Sequence, residues 1–491
     1  MDFLDFEDNR VAEILEQVEN GTLTAEDGVI ELLDEEDLLQ ELRANADLVT
    51  FFQDHPEAVV ACALVRDGEG QSGDTETLEP DKPTRRDRRG GVAAEVLTGE
   101  DGACSSVAKA CAACDGCWDR LAAFLDDDDD DDATPMRANR WERVLAALLR
   151  SGRLATTNAL GRADFLQGLP KRLASSWAAG QVGAMMLRDA FGGKLVACAA
   201  PPPFLRASAA ALGDGRGARN GRTMFLGALA DAAARERCAA ALAGDPETLA
   251  ALVAAAEATA EACDVLSALV AAVADDRSLR RVVAGAVAPR RAALLLRPDA
   301  PRGEVGADLL ARARLLRAAA RCAAVADALA APDALNFYVD RFFDLPACTM
   351  LHNAVTAAVL AVLADEPRRA DAAAVLDALL FRTGDSAHSD DASRGLLKRA
   401  AHAIRVARAD GRHVTLSRDA NLVVIAEAVC AALRQDPDDG GDREPLIPDL
   451  LFRRRPELDA WLHFAASVLS LETARKVVLA EPPKSSFREV R

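Results

Sequence analysis

The spacing of its apolar residues constrains this chain more than any other feature. Apolar side chains recur every three or four positions in many short segments, which places them on one side of an α-helix. Such stripes are formed near the start by Val11, Ile14, Leu15 and Val18, and near the end by Leu422, Ile425, Ala426, Val429 and Leu433. No segment longer than a few residues alternates apolar and polar positions, so no β-strand is predicted. The pattern predicts an all-α protein.

The composition favours the same fold class. Alanine and leucine dominate the apolar residues, aromatic residues make up 4% of the chain, and Tyr338 is the single tyrosine. Strands favour the β-branched and aromatic side chains that are scarce here. At 491 residues the chain is long for one compact core. Because no single amphipathic helix can bury its own apolar side, we expect an elongated, right-handed, armadillo/HEAT-like helical-repeat solenoid, although no fixed-period consensus is visible.

Short breaks separate neighbouring helices, and longer polar segments separate helical blocks. Thr24 followed by Asp27 predicts one helix start, and Pro56 marks a break. Five segments rich in glycine, proline and charge are too polar to bury a core and are predicted as flexible loops. They lie at about residues 67–91, 126–134, 199–222, 384–393 and 436–444. The remainder is predicted to form one helical-repeat domain over residues 1–485, with a tail at 486–491.

The charge balance excludes some partners. A net charge of −20 argues against nucleic-acid binding, which needs clustered lysine and arginine. The acidic N-terminal segment lacks the basic start and apolar run of a signal peptide. The most apolar long stretch, at 249–273, contains Glu257, Glu261 and Asp264, so it is interpreted as a packed helix and not as a membrane span. We expect a protein of the cytoplasm or the nucleus that binds neither nucleic acid nor membranes.

No combination of motifs indicates catalysis. The six histidines form no HExxH pair, and no nucleophile elbow, phosphate-binding loop or dinucleotide-binding loop occurs. Nothing in the sequence assembles a nucleophile, a base and an oxyanion site. We therefore expect no enzymatic activity, no catalytic or metal-binding residues and no cofactor.

The segment Cys111-Ala-Ala-Cys114-Asp-Gly-Cys117 is the sharpest chemical feature. Thiolates three residues apart can share a metal, which leaves a metal or redox protein as one hypothesis. The cysteine and proline that would complete an iron–sulfur ligand run are missing. The favoured interpretation is ordinary packing, with the three sulfurs along one side of a helix. The eleven cysteines are expected to be reduced and mostly buried.

Several short segments form an ordered series from about residue 22 to about 476. The most specific is the acidic helix Leu32-Leu-Asp-Glu-Glu-Asp-Leu-Leu-Gln-Glu41. The others, in order, are Ala94–Thr98, Leu121–Asp126, Arg140–Leu149, Gln181–Arg188, Val339–Phe343 with Leu351 and His352, Leu416–Asn421, Trp461–Phe464 and Leu471–Thr473. Together they resemble the SAPS-domain family. Residues 201–332 match that family only loosely, and Ala94, Trp141, Ala184 and Ala474 replace residues that are usual in it.

The resemblance implies a non-catalytic regulatory subunit. Members of the family bind a serine/threonine phosphatase catalytic subunit of the protein phosphatase 6 type and direct it to substrates or to further scaffold subunits. The signature polar residues Arg188, His352, Arg418 and Asn421 are the candidates for facing that partner. The competing interpretation is that they bridge neighbouring helices by hydrogen bonds. The alternative function is a generic armadillo-like adaptor for complexes unrelated to phosphatases.

Overall fold

The described part of the chain is entirely helical apart from short turns and caps. The computed structural model describes residues 10–65, 85–126, 135–151, 163–191, 202–296, 306–320, 322, 332–345, 348–364, 396–409, 417–433 and 461. Within these ranges there is no strand. The prediction of an all-α protein is therefore confirmed for the described residues. The elongated, right-handed shape stays a prediction.

Contacts divide the chain into two compact units, residues 1–255 and 256–491. The first unit contains α1 Arg10–Glu19, α2 Ala25–Leu32, α3 Leu38–Ala44, α4 Ala46–Asp54, α5 Pro56–Ala63, α6 Arg85–Thr98, α7 Gly102–Ala113, α8 Asp115–Asp126, α9 Pro135–Ser151, α10 Ala163–Arg172, α11 Trp177–Phe191, α12 Pro202–Ala211, α13 Ala218–Ala230 and α14 Arg235–Gly244. Helix α15, Pro246–Ala258, runs across the division. The second unit contains α16 Ala260–Ala272, α17 Arg277–Val287, the 3₁₀ turn Ala288–Arg290, α18 Arg291–Leu295, α19 Ala307–Ala320, α20 Pro332–Asp344, α21 Thr349–Ala364, α22 Leu396–Ala409 and α23 Ser417–Leu433. Whether one continuous repeat domain spans both units stays a prediction.

Polar side chains set where many of these helices begin. The Thr24 hydroxyl accepts a hydrogen bond from the Asp27 amide at 3.1 Å, which confirms the predicted start of α2. The Asn45 side chain does the same for the first amides of α4. Asp101 caps α7, and Pro56 occupies the first position of α5, where its missing N–H costs nothing.

Helices of the first unit pack in two layers. One layer runs through α4, α7, α9, α11 and α13, and the other runs through α5, α8, α10 and α12, each helix packing against the next in its layer. Buried aromatic side chains fill the space between helices. Trp141 stacks on Phe124 with ring centroids 4.8 Å apart, and Trp118 meets Phe165 edge to face. The same packing relation recurs along the chain, which is what a helical-repeat fold requires.

The second unit contains a layer of its own, formed by α16, α19, α21 and α23 in that order. Its most unusual core residue is Arg312 of α19, whose side chain is fully buried. The guanidinium donates to the carbonyls of Ala293 (2.6 Å), Leu294 (2.5 Å) and Glu257 (2.9 Å) and to the Asp308 carboxylate (2.9 Å). A buried guanidinium is tolerated because its donors are paired.

Two of the predicted flexible loops are helical in part, at residues 85–91 and at residues 202–211 and 218–222. Residues 85–91 begin α6, because Asp34 on another part of the chain forms ion pairs with Arg85 and Arg89 and holds this charged turn against the first unit. Residues 202–211 form α12, in which Phe204 and Leu205 are buried, and residues 218–222 begin α13. Between α12 and α13 the glycine-rich stretch 212–217 is a turn, as predicted. The predicted loops at 384–393 and 436–444 and the tail lie outside the described residues. The same holds for residues 67–84, 127–134 and 199–201 of the other predicted loops.

Among the described residues, no single helix is both long enough and apolar enough to span a membrane. One helix pair, Arg235–Gly244 with Pro246–Ala258, meets the length and composition criteria only when its two helices are taken together, and it is bent by 95°.

Candidate protein-interaction surfaces

Polar side chains bridge neighbouring helices of the layer in the second unit. Between α16 and α19, Arg314 donates to the Asp264 carboxylate at 2.9 Å. Between α21 and α23, the Asn421 side-chain amide donates to the Asn353 carbonyl oxygen at 3.1 Å. These bonds fix neighbouring helices side by side, so the surface they present is held in one arrangement.

Two large apolar side chains flank the asparagine pair. Met350 lies three residues before Asn353 on α21, and Val424 lies three residues after Asn421 on α23, so each shares a helix face with its asparagine. Met350 is 57% exposed and Val424 is 37% exposed. We call Met350, Asn353, Asn421 and Val424 the α21–α23 face. Exposed apolar groups beside amides can pack against a partner while the amides supply hydrogen bonds.

The structure places His352 in the core and not on this face. Its ring is fully buried, its Nε2 lies 3.2 Å from the Phe342 carbonyl oxygen, and its centroid is 4.6 Å from that of the Phe342 ring. The residue therefore joins α20 to α21. In this position the His352 ring has no exposed surface through which it could contact a partner.

The other three predicted residues fall in different places. Asn421 bridges α23 to α21, as the competing interpretation proposed, and it also borders the exposed face. Arg418 lies in the first turn of α23, but its side chain is outside the described residues. Arg188 is exposed on α11 in the first unit. The structure thus brings Asn421 next to the helix of His352 and leaves Arg188 in the other unit.

Arg188 belongs to a second exposed face. Trp177, Gln181 and Arg188 are all exposed on α11, and their spacings of four and seven residues place them on one side of the helix. Trp177 is 45% exposed, although tryptophan usually buries its large apolar surface. We call these three residues the α11 face. Tryptophan and arginine are the side chains most enriched among residues that dominate protein interfaces.

Glycines bring a neighbouring helix close to α11. A Cβ on Gly180 would lie 2.6 Å from the Asn220 carbonyl oxygen of α13, and one on Gly183 would lie 2.7 Å from the Met224 sulfur. The residue numbers of the two helices increase in the same direction along this contact, so α11 and α13 run parallel. Only the absence of a side chain permits this close approach, which fixes how the α11 face is presented.

The cysteine segment spans a helix break, so the expectation that its sulfurs share one helix side is wrong. Cys111 ends the buried stripe of α7, the backbone is extended at Cys114, and Cys117 lies in the first turn of α8. Gly116 admits the Glu57 carboxylate where a Cβ would overlap it. The Cys114 sulfur lies 3.4 Å from that carboxylate.

Two thiols of this segment, those of Cys114 and Cys117, have a raised pKa, which favours their protonated form. Burial raises the pKa of Cys114 to about 11. A hydrogen bond with Cys111, together with burial, raises the pKa of Cys117. Nucleophilic attack and metal ligation need thiolates. No group of three His, Cys, Asp or Glu side chains in the described ranges is placed to hold a metal ion. Seven of the nine described cysteines are buried, as predicted for that part of the chain.

Sequence reasoning missed the exposed apolar residues. Met350, Val424 and Trp177 look like members of buried stripes, because apolar type alone does not say on which side a helix meets its neighbours. The available signal was position: each lies one helix turn from a polar residue, Asn353, Asn421 or Gln181 respectively. A polar residue inside an apolar segment marks the side that faces solvent.

Comparison with known proteins adds little to this geometry. No protein-family model matches the chain, and no curated protein matches it. Among solved structures, that of an engineered protein aligns with a TM-score of 0.38 and 15% identity over 86% of this chain and 99% of that chain. The structure of SYS-1 aligns with a TM-score of 0.28 and 9% identity over 88% of this chain and 86% of that chain. Both alignments are too loose to support a conclusion about function.

Proposed function

We propose that the protein is a non-catalytic scaffold subunit that binds a serine/threonine phosphatase catalytic subunit of the protein phosphatase 6 type and directs it to substrates. The phosphatase assignment comes from the ordered segments that resemble the SAPS-domain family. A layer of helices offers a long surface on which a globular partner can rest while other parts bind further proteins.

The observation that supports this proposal best is that signature polar residues and exposed apolar side chains occur on the same helix faces. Asn421 and Arg188 are signature residues of the resemblance. Asn421 lies one turn from the exposed Val424, and Arg188 lies on the same side of α11 as the exposed Trp177, about three turns away. The described chain has five exposed large apolar side chains, Met136, Trp177, Val282, Met350 and Val424, and three of them belong to the α11 face or the α21–α23 face. Exposed apolar groups beside polar ones are typical of a protein-binding surface.

Affinity purification tests the proposal. We expect the tagged protein, expressed in cells of its own organism, to co-purify a phosphatase catalytic subunit of the protein phosphatase 6 type, together with phosphatase activity. The double variant Met350→Glu/Val424→Glu places two charges on the α21–α23 face and should lose the partner. A control, Met136→Glu/Asn139→Glu, also places two charges at exposed positions, on α9, and should retain it.

Two other outcomes would contradict the phosphatase assignment or the proposed binding surface. Recovery of different proteins, lost with Met350→Glu/Val424→Glu and kept with the control, would instead establish the generic adaptor. Equal losses in both double variants would show that the α21–α23 face is not the binding surface.

A further inference from the structure

One helical segment of the second unit is positively charged, although the chain as a whole is acidic. Arginines occupy positions 277, 280, 281, 290 and 291, and no aspartate or glutamate occurs between Arg277 and Leu296. The whole chain has a net charge of −20. Interactions between exposed charges are screened over about 8 Å at physiological salt, so a partner here senses the local positive charge more than the total.

The arginines lie on the side of α17 that faces solvent. Val283 and Val287 are the buried residues of this helix. Arg277 and Arg281 are exposed and four residues apart, on a side of the helix away from the two valines. Arg291 is exposed in the short helix that follows. We call Arg277, Arg281 and Arg291 the basic face.

These three guanidinium groups are unpaired within the described ranges. Arg290 forms an ion pair with Glu257 at 3.4 Å, but the basic face has no carboxylate at such a distance among the residues that the structure describes. The nearest acid in sequence, Asp276, accepts hydrogen bonds from the Ser278 and Leu279 amides at the start of α17. Those bonds lower the pKa of Asp276 and commit its carboxylate to capping the helix.

We propose that the basic face docks an acidic segment, rich in aspartate or glutamate, of a partner protein. A guanidinium presents paired donors that match a carboxylate in two parallel hydrogen bonds. Charge complementarity of this kind speeds association and selects the partner. The proposal is independent of the phosphatase assignment, because it concerns different residues and a different class of contact.

Two other polyanions fit the basic face less well. A helix that lies on a membrane needs several large apolar side chains to enter the lipid, and α17 exposes one, Val282. A nucleic acid extends beyond a patch of three arginines onto a protein of net charge −20, where its remaining phosphates are repelled. The described helix also carries no aromatic side chain on which bases could stack. A short acidic segment of a partner need not extend beyond the patch, so its carboxylates avoid repulsion by the acidic remainder of the protein.

Fluorescence anisotropy with a labelled oligoglutamate peptide tests the inference on the full chain. At about 0.15 M salt we expect the wild type to bind this peptide and not a labelled oligoglutamine peptide. The triple variant Arg277→Gln/Arg281→Gln/Arg291→Gln should weaken binding about tenfold, since it removes three charge-assisted contacts. The control Arg88→Gln/Arg216→Gln/Arg317→Gln has the same net charge at exposed positions elsewhere and should bind as the wild type does.

Folding and the choice of ligand are tested in parallel. Replacing the three arginines with lysine keeps the charge and should retain most of the affinity, which separates lost contacts from lost folding. The inference is overturned if oligoglutamate binds no better than oligoglutamine, or if the control weakens binding as much as the triple variant. It is also overturned if the basic face binds duplex RNA or phosphatidylserine vesicles more tightly than the acidic peptide.

Discussion

Single buried polar residues decide how helices of the second unit join. The Arg312 guanidinium connects α19 to carbonyl groups at the end of α15 and in α18. Tyr338 of α20 donates its hydroxyl to the Leu295 carbonyl at 2.9 Å, next to the group that Arg312 binds. Because the last carbonyls of a helix have no partner within that helix, such side chains satisfy groups that burial would otherwise leave unpaired.

Replacing Arg312 tests this role. Arg312→Met keeps much of the volume but removes the donors to three carbonyls in buried or partly buried hydrogen bonds, and each group left unpaired costs about 1–3 kcal/mol. We expect the free energy of unfolding to fall by about 3 kcal/mol or more, measured by urea denaturation followed by circular dichroism. The control Arg317→Met alters an exposed arginine of the same helix and should change stability by less than about 0.5 kcal/mol. Similar losses in the two variants would contradict the role given to Arg312.

The cap of α7 predicts a pH dependence. The Cys104 amide and the Arg43 guanidinium lower the pKa of Asp101 in the folded protein. A lowered pKa means that the carboxylate stabilises the fold above the ordinary value of 3.8, and that this stabilisation is lost as the pH falls through the lowered value. Asp101→Ala should therefore cost about 1 kcal/mol near neutral pH and progressively less below about pH 4.

The uncharged cap of α4 is the control for that prediction. Asn45→Ala removes a side chain that accepts from the Asp47 and Leu48 amides. Its stability loss should be similar near neutral pH and should persist in acid, because an amide does not titrate. Urea denaturation of both variants across this pH range measures the difference. A loss for Asp101→Ala that does not change with pH would refute the assigned cause.

Among the elements, the closest approach is that of α11 to α13. Gly180→Ala would place a methyl group against the Asn220 carbonyl oxygen, and a backbone atom cannot move aside easily. We expect a destabilisation of about 1–3 kcal/mol by thermal or urea denaturation. Gly183→Ala meets the flexible Met224 side chain and should cost less. Gly91 is a helical glycine with open space around it, so Gly91→Ala should be neutral or stabilising by up to about 1 kcal/mol. A loss of stability for Gly91→Ala equal to that of Gly180→Ala would argue that close packing is not the cause.

Periodicity predicted elements well where local sequence decides them. The start of α2 at Thr24 and the helix around Asn421 follow from capping and apolar spacing. The first turn of α6 could not be predicted in this way, because Asp34, some fifty positions earlier in the chain, stabilises it. The break at Cys114 is a backbone conformation that three evenly spaced cysteines do not reveal.

The interaction surfaces were predictable only in part. The resemblance selected Asn421 and Arg188, which border exposed faces, but it also selected His352, which is buried. Met350 and Trp177 were missed because a helix in a layer is buried on several sides, and its sequence does not tell which side remains open. The basic face was missed because its arginines lie within a segment that also supplies buried valines.

At the scale of the whole molecule, we expect the function to depend on surfaces that bind other proteins and not on a reaction centre. Layers of helices with exposed apolar and amide groups can hold a partner, and seven of the nine described thiols are buried. Binding would then depend on a few exposed side chains at each face, because a minority of interface residues carries most of the binding free energy. Any dephosphorylation would belong to the bound catalytic subunit.

Binding between two purified proteins tests this account most directly. Isothermal titration of the chain with a phosphatase catalytic subunit of the protein phosphatase 6 type, from the same organism, should show a stoichiometric complex. Met350→Glu/Val424→Glu should weaken it about tenfold or more, while Met136→Glu/Asn139→Glu leaves it unchanged. No heat of binding with the wild-type chain, under conditions where both proteins are folded, would contradict the account.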